Sequence, residues 1–280
     1  MLLKVSNLNM LKENLLGLGK LFLLNLLDSS KILPLKVRYI ITDFFAAATF
    51  IIVGSKRKAV KRNLSYILGC KPSMSDIWKV FKEYGRYWAE LPALTEFWSK
   101  MPRTYEGDTF PPSEKAFLGL TFHIGNFEVF GNELHRCFDS SLHVVAERLR
   151  PQILADYFKK KRRLYHVETI CHDDTKSILK ILKSGETLGV VCDRMISGKG
   201  VEARLFGRRI NLPLKIVAYA LNSKIPVYVA YCVKDKGSLK IVSKRIEETA
   251  SFEHAIGKIT STLESAIRQY PHQWHVLSPM

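Results

Sequence analysis

The sequence has no Cys-x-x-Cys pair, no Gly-x-Ser-x-Gly elbow and no uncharged apolar run long enough to cross a membrane. Its five cysteines, Cys70, Cys137, Cys171, Cys192 and Cys232, are irregularly spaced, and several sit in apolar runs such as Val190-Val191-Cys192. This excludes a disulfide framework and predicts reduced core thiols, which points to the cytoplasmic side. No histidine has zinc-ligand spacing to cysteine or aspartate, so no metal is expected. The missing elbow argues against a covalent acyl-enzyme on serine or cysteine. The longest apolar stretch, Tyr39 to Val53, contains Asp43. It is also shorter than the ~20 residues of a spanning helix, so helices that lie on a membrane are expected rather than helices that cross it. The N-terminus is apolar, but Lys4, Lys12, Glu13 and Lys20 interrupt it and no small-residue cleavage site follows, so a secretory signal is not expected.

Acidic residues are also scarce: 26 against 43 lysines and arginines, a formal net charge of +17 over 280 residues. Such a charge favours anionic partners, namely a phospholipid surface, a phosphorylated substrate or nucleic acid. Nucleic acid is disfavoured because no DNA- or RNA-binding motif is present and the N-terminal half is richly apolar. With 47% apolar and 25% charged residues a sizeable core is available.

Two textures divide the chain. Residues 1–112 read as helical and are expected to form a membrane-docking segment. Leu11, Leu15, Leu18, Phe22 and Leu26 recur at helical spacing. Helices are predicted over Leu35 to Val53, over Ser55 to Leu68 with Gly69 closing it, and over Ser75 to Ser99. The second of these carries Lys56, Arg57, Lys58, Lys61 and Arg62 beside Val60, Leu64 and Ile67, a basic amphipathic pattern suited to a membrane surface. From 113 to 280 short apolar runs alternate with helical patterns. Strands are predicted at Ala116–Phe122, Leu142–Ala146, Val167–Cys171, Thr187–Cys192, Pro226–Val233 and Leu239–Ser243. Helices are predicted at Asn126–Phe138, Pro151–Leu164, Asp174–Lys183, Leu212–Leu221 and Phe252–Tyr270. The expected fold class is α/β, a central mixed sheet flanked by helices. The stretch between Cys192 and Leu212 reads as a loop rich in glycine and basic residues.

His123 falls between a predicted strand and a predicted helix, where open α/β sheets bind their ligands. A histidine there can take a proton from a hydroxyl, and a carboxylate on its other ring nitrogen would fix the tautomer. Glu128 lies five residues on. On a straight helix that spacing puts the two side chains on different faces, so they meet only if Gly125 makes a turn between them. The bare pattern is near chance, since eight histidines and 26 acidic residues would give about 0.7 such pairs.

The surrounding residues are more specific. Thr121-Phe-His-Ile-Gly-Asn-Phe-Glu128 resembles the signature of the bacterial lipid A late acyltransferases and their relatives, the phosphatidylinositol mannoside acyltransferases. Ala146-Glu-Arg-Leu-Arg-Pro151 resembles the A-E-R-L-x-P block of the mannoside branch, with Arg162 or Arg163 near its downstream arginine. Cys192-Asp-Arg194 and Gly200-Val-Glu-Ala-Arg-Leu-Phe-Gly207 are similar to the family's D-R and G-V-x-V-x-F-F-G. Tyr270-Pro-His-Gln-Trp274 is similar to its Y-P-E-Q-W, with His272 in place of the glutamate. Arg62-Asn-Leu64 and Tyr84-Gly-Arg-Tyr-Trp-Ala-Glu90 fit its helical N-terminal pattern, so the likeness covers residues 55–275.

The resemblance implies a transfer of a fatty acyl group from acyl-CoA or acyl carrier protein to a hydroxyl of a membrane glycolipid or lipid A-like acceptor. His123 would be the general base and Glu128 its partner, with no cofactor beyond the acyl donor. Gly125, Asn126, Glu147, Arg148, Arg163, Asp193, Arg194 and Glu202 would line the substrate site. The place would be the cytoplasmic face of an inner membrane, held peripherally or monotopically on anionic lipid. The alternative is a non-catalytic lipid-binding protein on the same scaffold. The run Lys159-Lys-Lys-Arg-Arg163 is either a solvated helix face or a contact for anionic lipid or carrier phosphates. Arg194, Arg204, Arg208 and Arg209 suit either phosphate recognition or structural ion pairs, such as Arg194 with Asp193 or Glu202.

Overall fold

The computed structural model describes residues 17–94, 99, 101–108, 114, 116–138, 142–195, 198, 200–247 and 251–280. The alternation read from the sequence builds a seven-stranded sheet in the order β1-β9-β8-β2-β5-β3-β4. The strands are β1 Arg103–Gly107, β2 Leu118–Thr121, β3 Leu142–Ala146, β4 Val167–Cys171, β5 Thr187–Val191, β8 Val227–Asp235 and β9 Ser238–Ile246. Strands β8, β2, β5, β3 and β4 are parallel; β9 turns back against β8, and β1 runs with β9. The sheet is therefore mixed, as expected.

Each central strand sorts its side chains by the period of two. Leu118, Leu120, Leu188 and Val190 face a core shared with the helices Gly54–Leu68, Met74–Glu90 and Phe252–Gln269. Phe117 and Leu142 belong to a second core with Val129 and Leu134 of the helix Glu128–Phe138. Of the predicted core thiols, Cys192 and Cys232 are buried and Cys171 is half-buried, but Cys70 is exposed beyond the Gly69 cap.

Three expectations are corrected. The segment read as helical to residue 112 contains β1, whose register on β9 pairs Tyr105 with Ile241. Its burial is one-sided and slight, so it carries no apolar alternation to announce it. The helix predicted to Ser99 ends at Glu90, where Pro92 enters a 3-10 turn; residues 95–98 lie outside those described. The loop before Leu212 is a hairpin of β6 Val201–Leu205 and β7 Arg208–Leu212. Phe206 and Gly207 both take positive φ, 50° and 74°, the backbone of a two-residue hairpin turn.

Helix 17–29 precedes the helix Leu35–Ile52, which buries Arg38, Thr42 and Ala46 against Met74–Glu90. Gly85 permits the close crossing, since a Cβ there would lie 3.1 Å from the Thr42 carbonyl oxygen. The outer faces are apolar: Phe22, Ile40, Phe44 and Phe45 are each at least 60% exposed. Among the described residues no single helix is long and apolar enough to cross a membrane.

Candidate active site

The site forms at the carboxyl ends of the parallel strands. Strands β2 and β5 are neighbours, with Thr121 opposite Val191. Two residues further along each chain the same register sets His123 beside Asp193. His123 Nδ1 lies 2.6 Å from Asp193 Oδ1, and the His123 amide donates to Oδ2 at 3.0 Å. Trp274 Nε1–H donates to the same Oδ2 at 2.8 Å. The Asp193 side chain has no exposed surface. Burial pushes its carboxyl up, but the His123 charge and the hydrogen bonds from His123 and Trp274 outweigh it and hold the group below the ordinary carboxylate range. An ionised Asp193 only accepts, so His123 carries its proton on Nδ1. Nε2 has no hydrogen-bond partner among the described residues, and the His123 side chain is partly exposed.

A carboxyl-terminal clamp fixes the loop that carries His123. His275 N–H donates to the His123 carbonyl at 2.7 Å, Gly125 N–H donates to the Gln273 carbonyl at 2.9 Å, and Trp274 bridges Ile124. Gly125 has φ 59°, and a Cβ there would lie 2.0 Å from the Cys232 carbonyl oxygen, so no other residue fits. The amides of Gly125 and Asn126 are bonded to the carbonyls of Gln273 and Cys232.

His275 Nε2–H donates to the Gly125 carbonyl at 2.8 Å, while its buried Nδ1 has no partner among the described residues. Burial pulls this ring down to about 4 from 6.5. Between these values the unfolded chain binds a proton that the folded protein does not. The increment is thus full above pH ~6.5 and is lost as pH falls to about 4, a change of ~3 kcal/mol. His275→Gln should therefore unfold with a weaker pH dependence than wild type across this window in denaturant titrations. Parallel curves for the two proteins would show that His275 is not held neutral.

The turn at Gly125 does separate His123 from the helix, yet Glu128 does not reach the imidazole. Glu128 opens the helix Glu128–Phe138 and its carboxylate takes a forked pair of bonds from Arg162, the closest at 2.7 Å. The His123 ring meets the edge of Phe127 instead, at 5.1 Å between centroids. The expected partner of His123 is thus replaced by Asp193, which the sequence had marked only as a substrate-site residue. Burial opposes the Arg162 charge, but Glu128 outweighs it and raises the guanidinium further. Of the two arginines read near the family position, Arg162 bonds Glu128, and Arg163, expected to line the substrate site, pairs with Glu168 at the surface.

The other expected residues divide between the interior and the rim. Asn126 is 1% exposed and donates to Glu90 at 2.9 Å, inside a buried network with Tyr39 and Lys234. It therefore supports the loop and does not present itself to a ligand. Glu147 and Arg194 pair with each other at 3.4 Å, beyond the ends of β3 and β5, and Arg148 forks onto Asp173 at 2.9 Å. All four are exposed. Glu202 sits on the hairpin, 68% exposed and 3.8 Å from Arg209, and makes no contact with His123 or Asp193 among the described contacts. Cys171, His172 and Asp173 have ligand atoms within 4.8 Å of one another. The Arg148 fork already engages Asp173 there, leaving no free carboxylate to complete a cation site.

A small half-open cavity lies between the sheet and the helices Glu128–Phe138 and Gln152–Arg163. Its lining is apolar except for Thr121, Glu128 and Arg162. A second, smaller cavity under helix 17–29 shares Glu128 and Arg162, so the ion pair stands between the two.

The site is thus a strand-end histidine bonded to a buried carboxylate, near a mostly apolar cavity, in an α/β protein. Residues 10–280 match the bacterial lipid A biosynthesis acyltransferase family. The chain belongs to that family. A search for similar proteins of curated function matched none.

Proposed function

We infer that the protein moves a fatty acyl group from an acyl thioester, carried by coenzyme A or acyl carrier protein, to a hydroxyl of a membrane glycolipid or lipid A-like acceptor. The observation that supports this most is His123, with Nδ1–H on Asp193 and Nε2 open. Nε2 takes the proton of the acceptor hydroxyl as its oxygen attacks the thioester carbon. The tetrahedral adduct then collapses, the C–S bond breaks, and the imidazolium returns the proton to the leaving thiolate. Asp193 holds the tautomer and balances the imidazolium charge. General-base help of this kind contributes ~10²–10⁴-fold. No protein nucleophile takes part in this sequence.

The apolar outer faces of helix 17–29 and Leu35–Ile52 support a peripheral or monotopic seat on the cytoplasmic side of an inner membrane. Lys56, Lys58 and Lys61, exposed on the next helix, would meet anionic headgroups, each worth ~1 kcal/mol close to the surface. The test uses anionic vesicles carrying a glycolipid acceptor together with an acyl-CoA. The protein should float with the vesicles, and mass spectrometry should find the acceptor one acyl chain heavier with wild type and unchanged with His123→Ala. Equal product from both proteins, or none with wild type across lipid A-like and mannosylated acceptors, would count against this reading.

A further inference from the structure

Gln273 is pinned to β8 through its side chain. Its Oε1 accepts from the Lys234 amide at 3.0 Å, and its Nε2–H donates to the Lys234 carbonyl at 2.8 Å. The next residue then points the other way, since successive side chains alternate in an extended chain. Trp274 is extended, with φ −85° and ψ 111°, makes an antiparallel bridge to Ile124 and is 3% exposed. Its ring packs in the same core as Phe122, Ile124 and Cys192. Any large apolar ring could fill that space. The indole N–H adds something packing does not need, a bond of 2.8 Å to Asp193 Oδ2. Asp193 has no exposed side-chain surface, and its carboxylate takes its other two bonds from His123 itself. Among the described residues Trp274 is therefore the donor that fixes this carboxylate independently of the histidine it serves.

We propose that Trp274 is a positioning residue for the transfer: it acts through Asp193, and its N–H sets the pH range over which His123 Nε2 is free to take a proton. The proposal rests on the acyltransferase reading and adds a control on its base. An N–H on Oδ2 draws charge away from Oδ1, the oxygen that faces His123 Nδ1. Without that donor Asp193 holds an imidazolium more tightly. His123 then stays protonated to higher pH, and fewer molecules carry a free base. The other titratable groups around the pair do not compete. Cys192, next to Asp193, has its buried thiol pushed up and stays neutral. His275, behind the loop, is pulled down to about 4 by burial. On the helix side Glu128 and Arg162 carry opposite charges in one forked pair, and Arg194 faces Glu147.

The experiment replaces Trp274 with 3-benzothienylalanine, which keeps the fused ring and puts sulfur where the indole has N–H. Trp274→Phe is the second variant, and circular dichroism checks the fold of both. Ring 15N–1H spectra follow His123 in the resting protein from roughly pH 5 to 9, with its signals identified by their loss in His123→Ala. The vesicle assay gives kcat and KM over the same range. Losing the donor should move the His123 midpoint and the acid limb of kcat/KM together to higher pH. The expected shift is about half a unit or more, roughly a threefold loss of rate at a pH on that limb, with KM for the acyl thioester little changed on the plateau. A role in packing alone would leave both where they are when N–H becomes sulfur, and that result overturns the proposal. Either folded variant decides. Should the His123 midpoint move while the acid limb stays, the link from Trp274 through Asp193 to His123 holds and the general-base reading fails instead.

Discussion

Asp193→Asn should lower turnover by ~10³–10⁴-fold with little change in acyl-thioester affinity. The substitution keeps the size of the side chain. Its carbonyl oxygen can still accept from the His123 amide and the Trp274 indole, so its NH2 group must face His123 Nδ1. That forces the ring proton to Nε2, where the base is needed. The protein would remain folded and bind its substrates, but the imidazole would present a hydrogen instead of a lone pair. Glu128→Gln should behave differently, because its amide oxygen still accepts from Arg162 and no bond to His123 is lost. A loss of tenfold or less is expected there, consistent with a change in one hydrogen bond rather than in the base.

The second large effect is on stability. Glu128 and Arg162 are 16% and 19% exposed at the side chain and make a forked contact between two cavities. Glu128→Ala leaves a guanidinium largely out of water with no counter-charge, which should cost about 3–5 kcal/mol. For a chain of this size that corresponds to a Tm lower by roughly 10 °C. Converting both partners, as Glu128→Leu with Arg162→Met, removes the stranded charge and should recover most of the loss. Thermal melts of the single and double variants check this. A single variant as stable as wild type would show that Arg162 finds water or another partner.

These two outcomes separate roles that the spacing His123-x-x-x-x-Glu128 merges. Helices and strands with strong periodicity were legible: β3 and β4 begin and end where their apolar runs do. The position of His123 at a strand end was legible too, because Gly125 breaks the pattern there. The partner of His123 was not. Glu128 is close in sequence, but the turn delivers it to Arg162, and Asp193 is 70 residues away. Only the pairing of β2 with β5 joins the two, and pairing is not written in either strand alone. A partial signal existed, since both predicted strand runs end in an apolar residue followed at once by a titratable one, Phe122-His123 and Cys192-Asp193.

The clamp was hidden for the same reason. Gln273 and Trp274 stood out within a family block, but nothing in their order says that the indole reaches Asp193 or that the ring of His275, just after the block, closes on Gly125. The hairpin β6–β7 escaped because its positive-φ turn begins with Phe206 rather than with the Asn or Asp that usually marks such turns. Glu202 was expected to line the substrate site on motif likeness alone, and on the hairpin it is 68% exposed.

The most direct measurement is the turnover number of Asp193→Asn beside that of Glu128→Gln, each normalised to wild type in the vesicle assay. The His123–Asp193 pairing predicts that Asp193→Asn falls at least a hundred times further, on the order of 10³-fold or more below wild type. Equal losses, or a larger loss for Glu128→Gln, would contradict it.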